Sequence, residues 1–219
     1  MEDELTTALR AGGGSPVARA SSRAAARLGP AAEREGLIDV ASATVDSPLG
    51  PLLVLATERG LLMLSYTDTS VDAKLARIAA RVSPRILEAP ARLEGVRREL
   101  DEYFEGRRRR FEIAIDWSLI SGYARTVLER TSEIPYGTAM TYAEVSAEAG
   151  NPRGARATGN ALGSNPIPVV IPCHRVLRTG GALGGYTGGL DRKRFLLDLE
   201  NRGVGEPEAL TRPAGPRSG

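Results

Sequence analysis

Cys173 and His174 are the only cysteine and the only histidine in a chain of 219 residues, and they are adjacent. A thiol next to an imidazole is a nucleophile next to its base. An ordinary cysteine, with a pKa of about 8.5, is only a few per cent thiolate at neutral pH, and a base within reach raises that fraction. The opposing reading is a buried, inert cysteine that behaves as a small hydrophobe. On the pair alone the two readings weigh equally. A single cysteine also excludes an internal disulfide and a cysteine-cluster zinc site, and it points to a reducing compartment.

Positioning the pair falls to the stretch Ile167-Pro168-Val169-Val170-Ile171-Pro172-Cys173-His174-Arg175-Val176. Its apolar run is too short for a helix and reads as a strand, with Pro166 and Pro172 imposing extended backbone ahead of Ile167 and Cys173. Neighbouring side chains of a regular strand point to opposite faces. Cys173 and His174 can therefore cooperate only through a local turn or a bridging water.

The rest of the chain reads as α/β of the α+β kind, a small sheet unit followed by a mostly helical one. Residues 1–36 are rich in Ala, Gly, Ser and Arg and cannot bury enough apolar surface to repay ordering, which predicts a disordered tail. Glu2-Asp3-Glu4 carries the wrong charge for a targeting peptide, and no apolar segment follows it. The unit 37–116 begins with a meander of strands over 38–45, 52–56 and 61–66, split by turns at Ser47-Pro48-Leu49-Gly50 and Arg59-Gly60. Helical spacing follows over 71–82 and 91–104, then a strand over 111–115. Between the last two, Arg107-Arg108-Arg109-Arg110 reads as a solvated turn in preference to a phosphate site.

In the unit 117–202 a helix starts at Ser121 and closes at Ile134-Pro135-Tyr136-Gly137. Thr141 and Glu144 have capping-box spacing for a helix over 142–149. Gly150-Asn151-Pro152 is a turn, and a second helix is predicted over 153–162, which together give helix-turn-helix spacing. The second helix is small-sided at Ala155, Ala157, Thr158 and Gly159, as close approach to a nucleic-acid backbone requires. Residues 151–178 hold Arg153, Arg156, Arg175 and Arg178 and no acid. That local excess says more than the net charge of +2. Residues 203–219 are expected to be a loose tail. No window approaches 18 uninterrupted apolar residues, so no membrane span is predicted. The expectation is a monomer in the cytoplasm.

Asn165-Pro166-Ile167-Pro168, Pro172-Cys173-His174-Arg175-Val176, Gly185-Tyr186-Thr187-Gly188-Gly189-Leu190 and Lys193-Arg194-Phe195-Leu196-Leu197-Asp198-Leu199-Glu200 together resemble the O6-alkylguanine-DNA alkyltransferases. The likeness runs from about Ile134 to Glu200. It implies a ribonuclease-H-like N-terminal domain that braces the active half. It also implies transfer of the alkyl group of O6-alkylguanine, and of O4-alkylthymine, from double-stranded DNA to Cys173, once per protein and with no metal or cofactor. By the same resemblance His174 is the base acting through a water, and Glu200 orients the imidazole. Asn165 ties the helix-turn-helix to the active-site loop, and Tyr142 crowds the target phosphate and donates a proton to the departing base. Arg156 enters the stack where the nucleotide leaves. Tyr186, Thr187 and Gly188 wall the base pocket with Val176, Pro168 and Leu162 supply apolar packing, and Lys193 favours the thiolate. Two departures stand out. Ser121-Gly122-Tyr123-Ala124-Arg125 lacks the family's frequent Phe-Gln pair, and Gly163-Ser164 replaces an often basic position.

Two other functions compete. A DNA-binding sensor would use the same surface without efficient repair. A Cys-His-Glu hydrolase would turn over repeatedly and would have no use for a basic helix-turn-helix.

Overall fold

The computed structural model of the chain describes residues 35–203; the tails expected at 1–36 and 203–219 lie outside these residues but for their innermost positions. Strands β1 (Val40–Val45), β2 (Leu52–Thr57) and β3 (Gly60–Tyr66) form the antiparallel meander that their apolar runs and turns predict. The side-chain period of two splits the central strand between two cores. Leu52 and Val54 face the larger core shared with the helical half, while Leu53 and Leu55 pack with Ile78 of helix α1 (Val71–Arg81).

A short strand, β4 (Ile86–Glu88), has no counterpart in the sequence reading. It pairs parallel with β1, so its existence depends on a partner some 45 positions away in sequence and not on a local pattern. The sheet order is β3-β2-β1-β4. The helix expected over 91–104 is divided, with a 3-10 turn at Pro90–Leu93 leading into helix α2 (Glu94–Phe104). The strand expected over 111–115 makes only one bridge, Leu61 to Ile115. Edge strand β3 has little edge to spare, because its Leu64 N–H donates to the carbonyl of Pro166 at 2.9 Å. The sheet edge thus grips the segment leading to Cys173.

Arg107, Arg109 and Arg110 are exposed as the solvated-turn reading expects, while Arg108 is half-buried. Arg108 bridges Glu99 and Glu102, Arg107 pairs with Glu105, and Arg109 stacks over Tyr136.

The second half contains helices α3 (Gly122–Ser132), α4 (Tyr142–Glu148), α5 (Ala155–Gly163) and α6 (Leu190–Arg202). The capping box is formed: Thr141 Oγ1 accepts from Glu144 N, and Glu144 Oε2 accepts from Thr141 N at 2.6 Å. Between α4 and α5 the chain turns at Gly150, with φ of 80°, and at Gly154, where a Cβ would sit 2.2 Å from Asn151 Nδ2. Tyr123 of α3 fastens the pair, its hydroxyl within 2.8 Å of Thr158 Oγ1 and 3.3 Å of Ser146 Oγ.

The strand expected over 167–176 is not one. Val169 has φ of 75°, Pro168 and Ile171 form an isolated bridge within the run, residues 173–175 form a 3-10 turn, and Val176–Leu177 (β6) pairs parallel to β5 (Met140–Thr141). Residues 167–171 are all buried, Pro168 and Val170 as well as Ile167, Val169 and Ile171, so the run has no solvent face. A short apolar run buried on every side has no period that separates strand from turn. Among the described residues no helix is long and apolar enough to cross a membrane.

Candidate active site

The 3-10 turn at Cys173–Arg175 supplies the local bend that the adjacent pair requires. Cys173 is 5% exposed and His174 is fully buried, and each finds a different partner. Asn165 Nδ2 donates to Cys173 Sγ at 3.2 Å and to the Ile171 carbonyl at 3.0 Å, while its Oδ1 accepts from Ile167 N at 3.0 Å. The backbone partners fix which end of the amide meets the sulfur. That end is a donor, suited to a thiolate.

His174 Nε2 lies 2.8 Å from Glu200 Oε1. Glu200 is surrounded by donors alone. Arg175 gives Nε to Oε2 and Nη2 to Oε1, both at 2.9 Å, Tyr103 Oη donates to Oε1 at 2.7 Å, and Gly137 N donates to Oε2 at 3.2 Å. Burial alone would raise this carboxyl, but the hydrogen bonds from His174 and Arg175 outweigh it and hold the pKa at about 2. An ionised Glu200 can only accept, so the imidazole proton sits on Nε2 and Nδ1 keeps its lone pair. Nδ1 is the buried side-chain polar atom without a protein partner among the described residues. Burial lowers the His174 pKa against the pull of Glu200, which keeps the ring neutral and basic at Nδ1.

Burial pushes the Cys173 thiol up to about 11, although the Asn165 hydrogen bond and the Lys193 charge act the other way. The resting sulfur is therefore protonated at neutral pH, and its proton must leave during the reaction. Lys193 is fully buried on α6, donating to the Val176 carbonyl at 2.7 Å and the Gly185 carbonyl at 3.4 Å. Burial lowers its pKa to about 8, so it remains largely cationic at neutral pH.

Above the sulfur opens a cleft of about 650 Å³ between α5 and the loop 185–187. Tyr142, Ala155, Arg156, Gly159, Leu162, Tyr186 and Thr187 line it with Cys173. Arg156 is exposed in the first turn of α5, with no ion-pair partner among the described residues. Ala157 is exposed on the same helix.

Other expected site residues are placed elsewhere. Thr158 faces the core and is occupied by Tyr123, since a helix packed on two neighbours must turn one face inward. Pro168 lines a smaller cleft against β3, and the side chain of Val176 is fully buried beneath the loop. Arg175 leaves the basic surface altogether, drawn inward by Glu200, so the exposed charge is that of Arg153, Arg156 and Arg178.

Two tyrosines of the sheet half were not singled out from sequence. Tyr103 reaches Glu200, and Tyr66 Oη lies 3.0 Å from Tyr186 Oη. Gly188 exists for the second contact, because a Cβ there would fall 2.3 Å from Tyr66 Cε2 and 2.9 Å from Tyr186 Cε1. Gly188→Ala is expected to lower stability by about 1–3 kcal/mol, the usual cost of overpacking. Urea unfolding measures it, and an unchanged midpoint would mean that the rings yield freely.

Two family models match the chain. The 6-O-methylguanine DNA methyltransferase ribonuclease-like domain matches residues 40–117, and the 6-O-methylguanine DNA methyltransferase DNA binding domain matches residues 122–202. A methylated-DNA–protein-cysteine methyltransferase of Mycolicibacterium paratuberculosis is 39% identical over 168 residues, 77% of this chain and 95% of the relative. One of Methanosarcina barkeri is 34% identical over 160 residues, 73% of this chain and 96% of the relative. The crystal structure of Mycobacterium tuberculosis O6-methylguanine methyltransferase superposes with a TM-score of 0.65 at 33% identity, covering 78% of this chain and 98% of that one. The same organism's OGT in complex with DNA gives 0.63 at 34%, covering 74% and 94%. With its ribonuclease-like sheet, its helix-turn-helix and a thiol at the base of the cleft, the chain belongs to the methylated-DNA–protein-cysteine methyltransferase family.

Proposed function

We propose that this protein repairs double-stranded DNA by moving the alkyl group of O6-alkylguanine, and of O4-alkylthymine, onto Cys173, once per chain and as a monomer. The observation that supports this most is the sulfur itself, at the floor of the cleft, with an amide N–H aimed at it and a carboxylate-bound imidazole in the adjacent position. The target atom lies inside the base stack, so the nucleotide must leave the duplex, at a cost of a few kcal/mol. Arg156, at the mouth of the cleft, enters the space it vacates.

In the transfer the S–C bond forms as the bond between O6 and the alkyl carbon breaks. The thiol proton passes through a water to His174 Nδ1. Glu200 stabilises the imidazolium, and Lys193 and Asn165 stabilise the sulfur as it gains charge. The departing guanine gains the electron pair and takes a proton from Tyr142, whose phenol burial keeps protonated. The product is a thioether. Unlike a thioester it has no easy hydrolytic exit, so the protein is consumed.

Intact-protein mass spectrometry after incubation with excess O6-methylguanine duplex tests this. One methyl group per chain is expected, on the peptide containing Cys173. Unmodified protein, a methyl group elsewhere, or repair beyond one equivalent would overturn the reading.

A further inference from the structure

Glu200 receives one of its donors from outside the helical half. Tyr103 stands on α2 of the sheet half, 97 positions earlier, and its hydroxyl donates to Oε1 at 2.7 Å. The ring is fully buried, 5.2 Å from the ring of Phe111 and edge-on to Tyr136 at 6.1 Å. Nothing about its spacing on α2 requires a hydroxyl, since a phenylalanine would complete the same packing. The oxygen is therefore the feature that needs a reason, and its one side-chain hydrogen-bond partner among the described residues is the carboxylate that orients the proposed base.

We propose that Tyr103 is a positioning residue for alkyl transfer, through which the sheet half fixes the place and basicity of Glu200 and so of His174. This rests on the function proposed above. Oε1 is shared by Tyr103 Oη, His174 Nε2 and Arg175 Nη2. Each donor that satisfies Oε1 weakens its pull on a proton at the imidazole. The phenol thus keeps His174 from becoming too basic, and it stops the carboxylate from swinging toward Arg175 alone. The other charged and titratable groups facing the pair are Arg175 on the 3-10 turn, Lys193 on α6, Cys173, and Tyr136 on the loop after α3. Of these, Arg175 and Lys193 oppose a charged imidazole just as the phenol does, and all remain when the hydroxyl alone is removed.

Tyr103→Phe removes the hydroxyl and keeps the ring. His174 must be neutral to accept the thiol proton, so a more basic imidazole is lost to protonation at a higher pH. The low-pH limb of the single-turnover rate should move up by about half a unit to one unit. The rate on saturating O6-methylguanine duplex near that limb should then fall several-fold, with DNA affinity unchanged. Phe111→Leu, which loosens the packing on the same ring and spares the hydroxyl, should leave the limb in place. A direct measurement accompanies the kinetics: His174 is the only histidine in the chain, so its Nε2 proton resonance can be read in untagged protein without competing signals. It should move downfield in Tyr103→Phe as the acceptor becomes more basic. A limb and resonance unchanged in Tyr103→Phe, or a limb moved equally by Phe111→Leu, would overturn the role of Tyr103. Wild-type protein that forms no Cys173 adduct would instead overturn the function beneath it.

Discussion

Glu200→Gln is expected to destabilise the protein by about 3–5 kcal/mol and to slow alkyl transfer roughly a hundredfold or more. Among the described residues five hydrogen bonds reach this carboxylate and all come from donors, three at Oε1 and two at Oε2. An amide offers an acceptor at one end only. In either orientation the buried Arg175 guanidinium loses its counter-charge, and if the NH2 group replaces Oε2 it also faces the donors Arg175 Nε and Gly137 N. If it replaces Oε1, it faces Tyr103, His174 and Arg175 together. His174 can then meet it only by accepting at Nε2, which moves the ring proton to Nδ1 and leaves no base toward the sulfur. The first arrangement spends stability and the second spends catalysis. Urea unfolding and single-turnover kinetics at a temperature where the variant is folded read the two losses separately.

The pH dependence has a definite sign. Glu200 titrates at about 2 in the folded protein against an ordinary value of 4.5. Its contribution to stability is complete above about 4.5 and is lost as the pH falls toward 2. Glu200→Gln should flatten that part of the stability profile. A variant within about 1 kcal/mol of wild type, with its transfer rate unchanged between about pH 6 and 8, would show that the carboxylate is dispensable.

What could be read from the sequence divides along physical lines. The capping box of α4 was legible because Thr141 and Glu144 are close in sequence, and the meander was legible because turn residues separate its apolar runs. Cys173 and His174 were visible as residue types, but the 3-10 turn that makes them useful was hidden in a run whose burial removes any period. Arg175 shows the limit of counting charge. It belongs to an acid-free segment in sequence and to an ion pair with Glu200 in space, because a carboxylate buried that deeply needs a cation and the nearest one is drafted from the next turn. Tyr103 and Tyr66 were illegible for a related reason. Each occupies an ordinary apolar position in its own element, and only the packing of the two halves gives the hydroxyl a partner.

Arg156→Ala is expected to slow repair of O6-methylguanine in duplex DNA by one to two orders of magnitude, on the rule that roughly 1.4 kcal/mol is tenfold. The guanidinium stands exposed at the mouth of the cleft that holds Cys173, on the helix whose outward positions 155 and 157 are alanines. Small neighbours let the helix approach the duplex, and one long side chain between them can reach into it. If that side chain fills the space left by the extruded nucleotide, it offsets part of an unstacking cost of a few kcal/mol. The free modified base needs no extrusion, so its slower reaction with Cys173 should be nearly unaffected. An arginine that only touches phosphate behaves differently: binding weakens, the salt dependence of binding falls by about one counterion, and the rate at saturation is kept. Single-turnover kinetics at saturating protein, with duplex and free base in parallel, separate the cases. Equal slowing on both substrates would mean a damaged cleft, and an unchanged rate on saturated duplex would reduce Arg156 to a phosphate contact.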